Sequence, residues 1–175
     1  MKYQFAALFA EESQLSSIAA CIPAAKMCSV SDRWAIIPLP KLFLHGLGAR
    51  EKGFSFLVSS VAELARNAST SGPITWIEAD FDDGIGGQSS IVWNGGAVSE
   101  GPFFSGNGVR TPLSLSDWPI NRALRLMGVE AVAGRDEYDT LRLGRYRKLE
   151  QWLDAELMRP RTRQTEPRAE RIPAL

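Results

Sequence analysis

The central stretch Ile74-Thr-Trp-Ile-Glu78-Ala-Asp80-Phe81, Asp82-Asp83-Gly84-Ile-Gly86-Gly87-Gln88, Ser89-Ser-Ile-Val-Trp93, Asn94-Gly95-Gly96 and Ala97-Val-Ser-Glu100-Gly-Pro-Phe-Phe104 is unbroken in the chain. Its first segment has the period of two that defines a strand, with Thr75, Ile77, Ala79 and Phe81 on one face and Trp76, Glu78 and Asp80 on the other. Asp82 to Gln88 reads as a glycine-rich loop, and Ser89 to Trp93 as a second strand. Asn94-Gly95-Gly96 is the composition of a tight hairpin turn, where two consecutive residues need positive φ, and Ala97 to Phe104 supplies a third strand. Short connections between consecutive strands predict a three-stranded antiparallel meander over 74–104.

Working outward, residues 3–9 read as a further strand. Glu11 to Ile22 places Leu15, Ile18, Ala19 and Ile22 on one helical face before Pro23 stops it. Val30 to Leu39 predicts a strand ending at Pro38 and Pro40, where the missing N–H groups suit a sheet edge. Phe56 to Asn67 returns to helical spacing through Leu57, Val61, Leu64 and Ala65, and Ser69 to Pro73 closes it as a turn. A Gly-, Ser- and Pro-rich loop covers 105–116. Beyond it, Pro119 opens a helix carrying Ile120, Leu124 and Met127, with Gly128 past its end. Asp136 to Leu143 predicts a short helix. Tyr146 to Met158 predicts an amphipathic one with Leu149, Trp152, Leu153 and Leu157 on one side. The order of elements indicates an α+β fold: a central antiparallel sheet, which the N-terminal strands can extend, packed with several amphipathic helices. One globular domain is expected over 1–158, followed by an Arg-rich tail over 159–175 whose low apolar content predicts disorder.

The rare residues narrow the chemistry. The chain of 175 residues has one histidine, His45, and two cysteines, Cys21 and Cys28. A structural zinc site takes four Cys or His ligands and a catalytic one is rich in His, so the ligand count argues against zinc. A serine or cysteine nucleophile would have only His45 as its imidazole base, in the apolar stretch Lys41-Leu-Phe-Leu-His45-Gly-Leu-Gly48 and without a G-x-S-x-G elbow. A partly buried or loop histidine is the better reading. The cysteines lie among small residues and read as buried thiols of a reducing compartment, although two are enough for one disulfide. The apolar run Phe5 to Ala10 stops at Glu11-Glu12, short of a signal-peptide core, and no run approaches the roughly 20 residues of a membrane span. A cytoplasmic location is expected.

The charge is unevenly distributed. The total of 20 basic and 20 acidic residues gives no net charge, yet residues 1–158 hold 15 Lys and Arg against 18 Asp and Glu, while 159–175 hold five Arg against two Glu. From Asn67 to Val109 there is no Lys, Arg or His, and Glu78, Asp80, Asp82, Asp83 and Glu100 all fall there. Three readings compete: a solvated sheet face, a docking surface for a basic partner, and a divalent-metal or acid/base site. Asp80-x-Asp82-Asp83-Gly84 has a superficial likeness to a calcium loop, but position 12 is Ile91 where the loop needs Glu. Gly84-Ile-Gly86-Gly87 fits neither phosphate-binding glycine pattern and lies beside acids that would repel phosphate. Trp76 and Trp93 are read either as a cap under a covering helix or as aromatic anchors of a binding surface. The basic run Leu141 to Lys148 has Asp136, Glu137, Asp139 and Glu150 nearby, so pairing within the protein competes with phosphate binding.

Taken together, Ile74 to Phe81, Gly84 to Ser89, Val92-Trp93, Pro119-Ile-Asn121-x-Ala123-Leu124, Met127-Gly128-Val129 and Leu143-Gly-Arg-Tyr-Arg147 resemble small bacterial immunity-type proteins encoded near polymorphic or contact-delivered toxins. The resemblance covers about 73–153. It implies a cytoplasmic, non-enzymatic inhibitor that binds one cognate toxin or effector domain; it carries over no interface residues. The acidic interval fits an inhibitor that occupies the basic substrate groove of a nuclease. The expected partner-binding residues are Trp76, Glu78, Asp80, Asp82, Asp83, Gly86, Gln88 and Trp93. The expected partner is a protein with a basic surface, with no direct contact to nucleic acid or membrane, no cofactor, no metal and no catalytic residue. The alternatives are a metal-dependent hydrolase or nuclease built on Glu78, Asp80, Asp82 and Asp83, and a structural or regulatory binding subunit.

Overall fold

In the computed structural model, which describes residues 2–23, 25–83, 85–106 and 114–158, an antiparallel sheet of six strands carries helices on both faces. The strands are β1 (Lys2–Glu11), β2 (Cys28–Ser29), β3 (Trp34–Pro38), β4 (Ile74–Asp82), β5 (Ile85–Asn94) and β6 (Ala97–Gly106), in the order β2-β3-β1-β4-β5-β6. The described helices are α1 (Glu12–Cys21), α2 (Lys41–Leu44), α3 (Ser59–Ala68), α4 (Pro119–Leu126), α5 (Glu137–Thr140) and α6 (Leu149–Leu157). The α+β class read from the sequence is the observed one. The predicted tail at 159–175 and part of the predicted loop at 105–116 lie outside the described residues.

Register assigns every strand residue to a face. Because Ala6 pairs with Glu78 and Glu78 with Ser89, one face carries Ala6, Leu8, Ile74, Trp76, Glu78, Ile91 and Trp93. The helices α1 and α3 touch each other on this side, burying Leu15 and Ile18 of α1 and Val61, Ala62 and Ala65 of α3. The opposite face carries Phe5, Ala7, Thr75, Ile77, Ala79, Ser90 and Val92. There the Ser90 hydroxyl donates to the Pro119 carbonyl at 2.6 Å, the Arg122 guanidinium lies 4.0 Å from the Phe103 ring centre, and the Cys28 thiol donates to the Trp152 carbonyl at 3.6 Å. These contacts seat α4 and α6. With both faces covered, Phe5 to Ala10 and Ile74 to Ala79 are buried without interruption.

Several boundaries differ from the sequence expectation, each for a local reason. The predicted loop Asp82 to Gln88 is largely strand, because β4 and β5 stay paired down to Asp82 opposite Ile85. Gly86 and Gly87 therefore belong to a strand. A Cβ on Gly86 would collide with the Asp80 carbonyl, and one on Gly87 with the Ser105 carbonyl, so the glycines permit close backbone approach. At the other end of β5, Gly95 and Gly96 have φ of 63° and 81°, as a two-residue hairpin turn requires. The helix α3 begins at Ser59, three residues after the predicted start, because Val58 is extended and bridged to Arg50, with the Leu57 carbonyl accepting from the Glu51 N–H. The helix α6 begins at Leu149, where the Gln151 side chain accepts from the Lys148 N–H at 3.1 Å. Its apolar side is only partly covered: Leu149 and Trp152 are buried and Leu157 is exposed. Cys21, expected inside, is exposed at the end of α1, and the two cysteines do not form a disulfide with each other.

A Gly87→Ala substitution is expected to lower stability by about 2–3 kcal/mol, the cost of forcing backbone apart in a packed region, read as a reduced urea midpoint.

Candidate functional site

Glu78, the acid expected at the surface, is 2% exposed. It projects from the middle of β4 toward the segment between α2 and α3. That segment folds back on itself, with the Ser59 N–H donating to the Ala49 carbonyl at 2.8 Å and the Glu51 N–H to the Leu57 carbonyl at 2.9 Å. The fold turns three successive amides inward. Ser55 N–H donates to Glu78 Oε1 at 2.6 Å, while Phe56 N–H at 3.0 Å, Leu57 N–H at 3.2 Å and Trp76 Nε1–H at 2.8 Å all donate to Oε2. Burial pushes the carboxyl above its ordinary range, and the four donors, which pull it down, do not cancel that effect.

The expected partner-binding set therefore divides. Trp76, Trp93 and Glu78 lie on one face of the sheet and are all buried, Trp76 bonded to Glu78 and Trp93 opposite Ile74, four residues from Glu78 along β4, so none of the three presents a surface. Gln88 faces the opposite side of the sheet and accepts from the Ile120 N–H at 3.3 Å, at the start of α4. Gly86 is a half-buried strand residue. Asp80 is half-buried and accepts from the Gln4 side chain at 3.0 Å. Only Asp82 and Asp83 are fully at the surface, Asp83 with a φ of 47° at the turn. Glu100 pairs with Val92 near the far end of β5, roughly 20 Å away at the strand rise per residue, and takes no part in this patch.

Two residues complete the hairpin tip that charge counting overlooked. Ile85, opposite Asp82 across the hairpin, is 80% exposed. An apolar residue beside the turn, flanked by glycines, is the signal that could have marked it. Lys2 is the register partner of Asp82 on the other side. The base-free interval of the sequence is thus bordered in space by a cation that the antiparallel pairing of β1 brings alongside. The tip thus combines two exposed carboxylates and an exposed isoleucine on a paired hairpin, with Lys2 alongside Asp82.

A second concavity lies on the other face, between the sheet and α4 to α5. It comprises adjoining cavities of about 220 and 330 Å³ that share Gln88, Ile120 and Tyr138. Its polar groups hold one another. The Asn121 side chain donates to the Leu115 carbonyl at 2.9 Å and Asp136 Oδ2 at 3.0 Å, and accepts from the Tyr138 N–H at 2.9 Å. The hydroxyls of Tyr3 and Tyr138 are hydrogen-bonded, and burial pushes both upward. This network ties β1 to α4 and α5.

The metal-site reading does not survive at Glu78, both of whose oxygens face N–H donors. Among the described residues, no three His, Cys, Asp or Glu side chains are grouped to hold a metal, and no helix is long and apolar enough to cross a membrane. His45 is exposed at the end of α2. No family model, curated protein or solved structure matches the chain.

Glu78→Ala is expected to cost about 3 kcal/mol or more by leaving several buried N–H groups without an acceptor. Glu78→Gln tests the titration. A carboxyl raised in the folded state gives its full contribution below the unfolded value, near 4.3, and loses it as pH rises through the folded value. Between these values the folded state binds more protons than the unfolded one, so wild-type stability falls with pH relative to Glu78→Gln. Parallel thermal melts from pH 4 to pH 8 read the difference.

Proposed function

We propose that this chain is a non-enzymatic binding protein of the bacterial immunity type, which neutralises a cognate toxin or effector domain by placing its hairpin tip in a basic groove of that partner. The observation that carries the reading is the exposed Ile85, opposite Asp82 and two residues on from Asp83, at the end of a hairpin whose strands are paired throughout. An apolar anchor ringed by charge is the pattern of interface hot spots, and carboxylates in a groove built for phosphates supply orientation and association rate. The resemblance of 73–153 to immunity-type proteins supports the same reading.

The interface differs from the one read along the strand. Trp76, Glu78 and Trp93 contribute stiffness from inside, and contact with the partner falls to Asp82, Asp83 and Ile85, with Asp80 at the margin. Because these residues bury little, they can change without loss of fold.

Titration calorimetry of the full chain against the product of the neighbouring reading frame checks the proposal. Asp82→Lys with Asp83→Lys, and separately Ile85→Ala, are expected to weaken binding by about tenfold or more while the melting temperature stays nearly unchanged. No binding of the neighbouring product rejects the immunity reading. Binding indifferent to both variants moves the interface elsewhere.

A further inference from the structure

The ladder between β1 and β3 runs from Glu11 opposite Trp34 to Ala7 opposite Pro38, and one last bond, Leu39 N–H to the Ala6 carbonyl at 2.9 Å, closes it. Beyond that point the chain leaves the sheet through Pro40, which has no N–H to give, and enters α2. The other edge of β1 remains paired with β4 down to Lys2 opposite Asp82. Backbone groups alternate sides along a strand, so the N–H and C=O of Gln4 point the same way as those of Ala6, toward the side that β3 has vacated. Among the described residues no strand pairs with that edge.

A cleft of about 490 Å³ lies there. Lys2 and Gln4 line it from β1, Lys41 from α2, and Arg147, Lys148 and Glu150 from the start of α6. Four cations thus face one carboxylate, and all four cationic residues are exposed. Beyond Lys41 a smaller adjoining cavity of about 130 Å³ adds the guanidinium-bearing Arg50 to its lining. A vacated strand edge inside a cleft of cations combines main-chain donors and acceptors with a field that selects negative charge.

We propose that this cleft binds an extended acidic peptide segment of a partner protein, which adds to the sheet beside the first residues of β1. Its main chain pairs with Gln4, and its carboxylates meet Lys2, Lys41, Arg147 and Lys148. Main-chain pairing supplies affinity that any extended peptide shares, and the cations supply the preference for Asp and Glu. The inference stands apart from the hairpin tip, which selects the opposite charge.

The test uses the full chain and a fluorescein-labelled short peptide alternating glutamate with threonine, followed by fluorescence anisotropy at low and physiological salt. The acidic peptide binds, and its lysine-for-glutamate counterpart binds at least about tenfold more weakly. Lys41→Glu with Lys148→Glu, both at exposed positions, reduces affinity by a similar factor at an unchanged melting temperature. Amide hydrogen exchange of the wild type reads the pairing directly, since the Gln4 N–H gains protection when the peptide is added. Equal affinity for both peptides, or no added protection at Gln4, overturns the proposal. So does displacement of the peptide by inorganic phosphate or a short DNA duplex as readily as by unlabelled peptide, which would make the cleft a general anion site.

Discussion

A single carboxyl group holds together the part of the molecule that the sheet alone could not organise. Glu78 gathers the amides of Ser55, Phe56 and Leu57 and the indole of Trp76, and so ties a segment with little regular structure to the centre of β4. A buried loop is normally unstable because its backbone polar groups lack partners. Here one side chain supplies the acceptors. With the loop fixed, Phe54, Phe56 and Leu57 come to rest inside, α3 is aimed across the sheet, and Trp76 and Trp93 are sealed beneath it. The upward shift of the carboxyl, caused by its burial, is the cost side of this arrangement: the carboxyl is kept from water so that three inward-turned backbone donors have an acceptor.

The long strands were legible because each signals through its own backbone, whereas the two-residue β2 carries no such signal and was not read. The alternation over Ile74 to Phe81 and the turn at Asn94 to Gly96 are local properties, and both correspond to observed structure. What the alternation could not tell was that both faces are covered. An acid and a tryptophan on one strand face look the same in sequence whether water or a loop lies above them. The loop that decides the matter for Glu78 comes from 55–57, and nothing in those residues announces three free amides. The glycines at 86 and 87 misled for a related reason. Their local signal is flexibility, whereas their structural use is to let the backbones of β4, β5 and β6 approach. Local chemistry was readable and tertiary partnership was not.

Charge followed the same division. Counting along the chain isolates an acidic interval, but antiparallel pairing interleaves distant segments, and β1 lays Lys2 beside Asp82 and Gln4 beside Asp80. The acidic surface contracts from five residues to the immediate tip of one hairpin, with Glu78 removed into the interior and Glu100 carried to the far end. A compact patch at a tip has a steeper local field than the same charge spread over a sheet face, and it is more easily inserted into a concavity.

The register also determines how the acidic and basic features relate. Lys2 is at once the neighbour of Asp82 and part of the lining of the cleft that holds Lys41, Arg147 and Lys148. The sign of the surface therefore reverses across the first residues of β1. A partner approaching this end of the sheet meets a dipole rather than a uniform charge, and a dipole selects orientation as well as composition. A wholly basic partner is attracted at the hairpin and repelled at the cleft. One that carries a basic groove with an acidic segment beside it is favoured at both, in a single orientation. The two proposed surfaces, opposite in charge, are thereby tied to one another by geometry, and reversing Lys2 would alter the field of both while leaving the hydrogen bonds of Glu78 untouched.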